Sequence, residues 1–165
     1  MTLNELIERS GLAQPQARDT GTFYLHAGHI HVASEPTQIT TVLGSCVAIC
    51  LWDPLLRIGG MNHYLLPSNL TGDRVERFAD TATAALMERL LATGVSLSRL
   101  RAKVFGGASV LAFTSGALAE RNVLAAREQL GRWDIPIVAE DVGGSYGRKI
   151  VFRTDTGAAT VKVLA

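Results

Sequence analysis

The run Val47-Ala48-Ile49-Cys50-Leu51-Trp52 constrains this chain more than any other stretch, because six apolar residues follow one another without a polar interruption. A half-exposed strand would alternate. A short unbroken run between turn signals reads as a strand with both faces buried. Gly44-Ser45 precedes it and Asp53-Pro54 ends it, and both are turn-forming pairs. Six residues fall far short of the ~20 needed to span a membrane. Arg57 to Leu66 holds a second buried strand, interrupted by Gly59-Gly60 and closed by Pro67.

The remaining segments are shorter and more regular. Phe23 to Val32 has strand character broken by Gly28, and Ile39 to Val42 is a strand leading into the Gly44-Ser45 turn. Arg77 to Leu91 places Phe78, Ala82, Leu86 and Leu90 at helical spacing, with Gly94 as the stop. Ala117 to Leu130 predicts a second helix with Ala119, Val123, Ala126 and Leu130 inward and Gly131 as its C-terminal cap. Leu100 to Phe105, Ile135 to Ala139, Lys149 to Arg153 and Ala158 to Leu164 read as strands separated by glycine turns. Strands outnumber helices and often follow short turns, so antiparallel pairing must be common. The expected fold class is α+β, with layered mixed β-sheets flanked by helices. Residues 1–20 are expected to form a loosely ordered leader, and 21–165 a single domain.

Composition narrows the function. The 165 residues are 47% apolar and 19% charged, which suits a globule that buries roughly 70% of its unfolded surface. A net charge of +1 leaves no electrostatic footprint for nucleic acid or an anionic membrane. Glu5 and Glu8 stand where a signal peptide would be basic and then apolar, so export is not expected. Two cysteines four apart make no disulfide framework. The cytoplasm, where thiols stay reduced, is the expected location.

Chemistry concentrates at Cys46. An ordinary thiol near pKa 8.5 is mostly protonated at neutral pH, so a nucleophilic cysteine needs a base and preorganised N–H donors. Gly44 and Ser45 could bring substrate close to the backbone and aim amides at a developing oxyanion. His63, 17 positions on in the second buried strand, is the candidate base. It competes with an ordinary strand histidine hydrogen-bonded to backbone. Cys50 lies inside the apolar run and reads as an inert core thiol. His26, His29 and His31 cluster, but no zinc signature accompanies them, so neither metal nor cofactor is expected. The glycine pairs at 59, 106 and 143 lack a following Gly-Lys-Ser/Thr and read as turns or bulges, not phosphate loops.

Several of these residues carry a resemblance. Thr40-Thr41-Val42-Leu43-Gly44-Ser45-Cys46-Val47, then Gly60-Met61-Asn62-His63 and Leu66-Pro67, resemble the chemoreceptor glutamine deamidase family CheD. So do Phe78-Ala79-Asp80-Thr81-Ala82, Gly106-Gly107-Ala108, Arg121-Asn122, Ala139 to Gly144 with Gly147-Arg148, and Thr156-Gly157. The resemblance implies hydrolysis of glutamine side-chain amides on methyl-accepting chemotaxis receptors, through a cysteine thioester, on a fold shared with deamidating toxins. It implies a catalytic trio of Cys46, His63 and Thr40, with Thr41 adjacent. His63 is expected to hold Cys46 as the thiolate of a thiolate–imidazolium pair. Receptors are the implied substrate, and many members also bind a CheC-like phosphatase. The chain departs from the pattern at Ser109-Val110-Leu111 and at Ala119, positions that bear on packing or partners and not on chemistry. Two rival readings stand beside this one, a different cysteine amidase and a non-enzymatic chemotaxis adaptor.

Overall fold

The long apolar strand lies at the centre of the structure and is covered on both sides. A computed structural model describes residues 20–69, 72, 75–110 and 116–165. The strands are β1 (Gly21–Tyr24), β2 (Ile30–Ala33), β3 (Thr37–Leu43), β4 (Val47–Asp53), β5 (Ile58–Asn62), β6 (Arg101–Gly106), β7 (Ile137–Val142), β8 (Gly147–Arg153) and β9 (Ala159–Leu164). The helices are α1 (Ala79–Leu91) and α2 (Gly116–Arg132). One sheet has the order β1-β3-β8-β9 and the other β2-β5-β4-β6-β7. Only β1–β3 and β6–β7 pair in parallel; the other described pairs are antiparallel.

All seven residues of β4 are buried, and alternation divides their side chains between two cores. Val47, Ile49 and Leu51 meet Leu86, Leu90, Ala126 and Leu130 of the helices. Ala48, Cys50 and Trp52 meet Ile39, Leu43, Ile150 and Phe152 of the four-stranded sheet. The fold is therefore sheet on sheet with helices on one outer face, the α+β arrangement expected. At roughly 25 cal/mol per Å² of apolar surface, these two cores are the main stabilising term.

The boundaries differ in instructive places. The expected strand from Phe23 to Val32 is two strands in different sheets, because the chain turns at Gly28 with φ 77°. The stacked rings of Phe23 and His31, 3.7 Å apart, still link them. Gly131 does not cap α2. The helix runs on to Arg132, and Asp134 takes the left-handed conformation (φ 53°) while the Ile135 amide donates to the Leu130 carbonyl. The expected leader, apart from Thr20, lies outside the described residues.

Candidate active site

The site is built where the central strand begins. Val47 and Tyr64 exchange backbone hydrogen bonds at 3.2 and 3.0 Å, which extends the β4–β5 ladder past the end of β5. In that register Ala48 faces His63, and Cys46 is its diagonal neighbour on the side toward the other sheet. Such diagonals stand about 7–8 Å apart, within reach of longer side chains. Two residues expected to act together are thus brought onto one face of one ladder.

The turn before Cys46 is held from the far side by the end of β6. The Gly107 amide donates to the Cys46 carbonyl at 2.8 Å, and the Ala108 amide donates to the Gly44 carbonyl at 2.9 Å. Gly106 (φ 109°) passes so close that a Cβ there would lie 2.2 Å from the Cys46 carbonyl oxygen. Only glycine permits this approach. The pair at 106–107 is therefore neither a phosphate loop nor a simple turn, but the clamp that fixes the thiol's own backbone.

His63 is almost wholly buried, at 3% exposure. Its amide donates to the His29 carbonyl, and its carbonyl accepts from Gly28. Its Nδ1 lies 2.8 Å from Thr41 Oγ1. The Thr41 hydroxyl has one proton and donates it to the Leu25 carbonyl at 2.7 Å. A carbonyl can only accept, so the hydroxyl must accept from His63, and Nδ1 carries the ring proton. Nε2 is left with its lone pair, as a base requires.

Thr40 and Thr41 are told apart at this point. Thr41 shares the inward face of β3 with Ile39 and Leu43 and is fully buried, whereas Thr40 lies on the opposite face. The hydroxyl that meets the imidazole is the neighbour's. A signal for it was present in the sequence: Ile39 and Leu43 mark the inward phase of the strand, and Thr41 falls between them.

The electrostatics bear on the expected ion pair. Burial lowers the His63 pKa to about 4, with the nearby Leu25 carbonyl pulling the other way. Burial also raises the Cys46 thiol, opposed by the cysteine's own backbone N–H on its sulfur. Both shifts run toward the neutral forms, a thiol and an uncharged imidazole. Cys50, fully buried, has its thiol pushed far up by burial despite Lys103 nearby.

A further residue enters that carried no assigned role in the sequence. Asn122 of α2 is fully buried, and its Nδ2 donates to the Ser45 carbonyl at 3.0 Å and the Leu65 carbonyl at 2.9 Å. The Tyr64 hydroxyl donates to the Asn122 carbonyl at 2.5 Å. Inward periodicity through Ala119, Val123 and Ala126 places position 122 on the buried stripe, and an asparagine there was the available signal. The three histidines do not converge: His31 stacks on Phe23, and His26 meets His29 edge-on at 6.3 Å. Among the described residues, no group of three or more His, Cys, Asp or Glu could hold a metal ion. No described helix is long and apolar enough to cross a membrane.

Known proteins resemble this sequence. The family model described as CheD chemotactic sensory transduction matches residues 65–163, well over half of the chain. A probable chemoreceptor glutamine deamidase CheD 1 from Anaeromyxobacter dehalogenans (strain 2CP-C) is 50% identical over 86% of this chain and 84% of its own length. A probable chemoreceptor glutamine deamidase CheD from Trichlorobacter lovleyi (strain ATCC BAA-1151 / DSM 17278 / SZ) is 47% identical over 82% of this chain and 86% of its own. A Bacillus licheniformis hypothetical protein YfiH of known structure is 12% identical with a TM-score of 0.42, over 67% of this chain and 49% of that one, a likeness too slight to bear on the chemistry. By the extent of the family match and by the identity sustained across nearly whole relatives, this chain belongs to the CheD family.

Proposed function

We propose that this protein hydrolyses glutamine side-chain amides of methyl-accepting chemotaxis receptors, giving glutamate and ammonia. The observation that carries the reading is the Leu25–Thr41–His63 hydrogen-bond chain, which leaves Nε2 unprotonated on the face that holds Cys46. The names of its relatives supply the substrate class.

The roles follow from the resting state. His63 Nε2 takes the Cys46 proton as the sulfur attacks the substrate's side-chain carbonyl carbon, so charge separates only when a substrate is there to use it. The carbonyl oxygen becomes an oxyanion, stabilised by the Cys46 amide and its neighbour at Ser45. The imidazolium, its Nδ1–H held by Thr41, returns the proton to the amide nitrogen, and ammonia leaves a thioester on Cys46. Water then gives a proton to Nε2 and attacks the thioester carbonyl. Collapse releases glutamate, and the sulfur recovers its proton from His63. A hydroxyl orients the imidazole without the charge a carboxylate would add, which suits a modest rate.

Each turnover replaces a neutral amide with a carboxylate on the receptor, adding one negative charge to its surface. The cytoplasm is the proposed setting. A CheC-like phosphatase is the proposed second partner, tested by co-elution of the two proteins. To test the activity, the protein is incubated with a receptor cytoplasmic fragment and digested for mass spectrometry. Glutamines gaining one dalton with wild type and none with Cys46→Ala are expected. Gains that persist in Cys46→Ala would remove the sulfur from the mechanism.

A further inference from the structure

Asn122 bridges the two backbone segments that carry the nucleophile and the base. One Nδ2 proton goes to the Ser45 carbonyl and the other to the Leu65 carbonyl. These partners are 77 and 57 residues away in the chain. The helix that supplies Asn122 is tied back by the Tyr64 hydroxyl, which donates to the Asn122 carbonyl. Tyr64 in turn sits between His63 and Leu65 and pairs with Val47, next to Cys46.

The Ser45 carbonyl is half of the peptide plane whose other half is the Cys46 N–H. A trans peptide is rigid, and its C=O and N–H point in opposite directions. A donor that pins the oxygen toward α2 therefore aims the Cys46 N–H the other way, onto the cysteine sulfur and the space beside it. The Asn122 Oδ1 has no hydrogen-bond partner although the residue is fully buried. Turning the amide over would set that oxygen against two carbonyls, so the orientation is fixed by its partners.

We propose that Asn122 is a positioning residue, which aims the Cys46 amide at the developing oxyanion and holds the Cys46 and His63 segments in register. This rests on the deamidase reading for its effect on turnover, but not for its effect on the Cys46 peptide. Losing the aim of one oxyanion donor lowers the rate constant without weakening the binding of a neutral amide.

The test measures ammonia release from a receptor cytoplasmic fragment, and separately the pH dependence of Cys46 alkylation by iodoacetamide. For Asn122→Ala, kcat is expected to fall roughly 10- to 100-fold with KM unchanged within about twofold. The alkylation midpoint should also move to higher pH, since the amide that favours the thiolate is no longer held on the sulfur. Wild-type kcat overturns the proposal. A loss confined to KM, or lost turnover with an unmoved alkylation midpoint, also overturns it. Should Asn122→Ala not yield folded protein, Tyr64→Phe decides the matter: a loss of about fivefold in kcat at constant KM supports the tie, and an unchanged kcat refutes it. If wild type releases no ammonia while Asn122→Ala still shifts the alkylation midpoint, the deamidase reading fails and the assignment at the Cys46 peptide stands.

Discussion

The two ends of β4 solve opposite problems with buried polar groups. At its far end Asp53 is fully buried and saturated with partners. Its carboxylate accepts from the amides of Leu55, Leu56 and Ser96 at 2.9 to 3.2 Å and from the Arg99 guanidinium at 2.8 to 3.1 Å. Burial alone would raise its pKa, but Arg99 and the three amides outweigh that and hold it at about 2. At the near end, His63 is buried and Cys46 half-buried without a compensating charge, and burial shifts both toward their neutral forms. A fully satisfied ion anchors the β4–β5 turn against the loop before β6. On the proposed mechanism, an under-satisfied pair keeps its charge separation for the reaction, so the two ends of one strand differ in how completely their buried polar groups are hydrogen-bonded.

The comparison can be broken at either end. The largest effect is expected from Asp53→Ala, which orphans three backbone amides and the Arg99 fork. Urea denaturation should show a loss of about 3 kcal/mol, with the alkylation rate of Cys46 in the folded protein unchanged. A comparable change in Cys46 reactivity would mean that the two ends are coupled. Next in size is Thr41→Val, which strands the His63 Nδ1 proton and the Leu25 carbonyl. A fall in kcat on the order of 100-fold is expected, against less than about twofold for Thr40→Val. Equal losses in the two variants would undo the assignment made from the strand's phase.

The pH dependence sharpens the contrast because both groups act in the same direction. His63 titrates at about 4 when folded and near 6.5 when unfolded, so its contribution is complete above pH 6.5 and lost as pH falls toward 4, about 3 kcal/mol in all. Asp53 contributes in the same sense at lower pH, between its ordinary value near 3.8 and about 2. The base must be unprotonated to act, so the acid limb of kcat/KM is expected near pH 4, not 6.5, measured over the range where the fold persists. A limb at 6.5 would place the ring in water. The smallest effect belongs to Cys50→Ala: full deamidase activity, a loss of about 1 kcal/mol from the sheet–sheet core, and wild-type alkylation kinetics.

How legible this was in the sequence depended on whether a residue's partners were local. The apolar run of β4 declared its two-sided burial, and the spacing Phe78, Ala82, Leu86, Leu90 declared α1, because each pattern is written within one element. Cys46 and His63 could be paired because two adjacent strands brought them together. Thr40 came from its motif position in the family resemblance, with Thr41 beside it; the phase of the strand, marked by the flanking Ile39 and Leu43, is what turns Thr41 inward. The break at Gly28 was legible, but not that the strand-forming residues on its two sides belong to different sheets. Asn122 could not be read for its role, since its partners on the Cys46 turn and after His63 are set by tertiary packing and not by spacing.

The same dispersal governs when the chemistry can begin. Thr41, Cys46, His63 and Asn122 come from four separate segments, and the clamp on the Cys46 carbonyl comes from a fifth at Gly107. During synthesis the sulfur leaves the ribosome roughly 75 residues ahead of the asparagine that pins the peptide before it, at ~5–20 residues per second. Until the helix layer closes over the sheet, a nascent chain carries an ordinary, unaimed thiol, and on the proposed mechanism it has no hydrolytic competence.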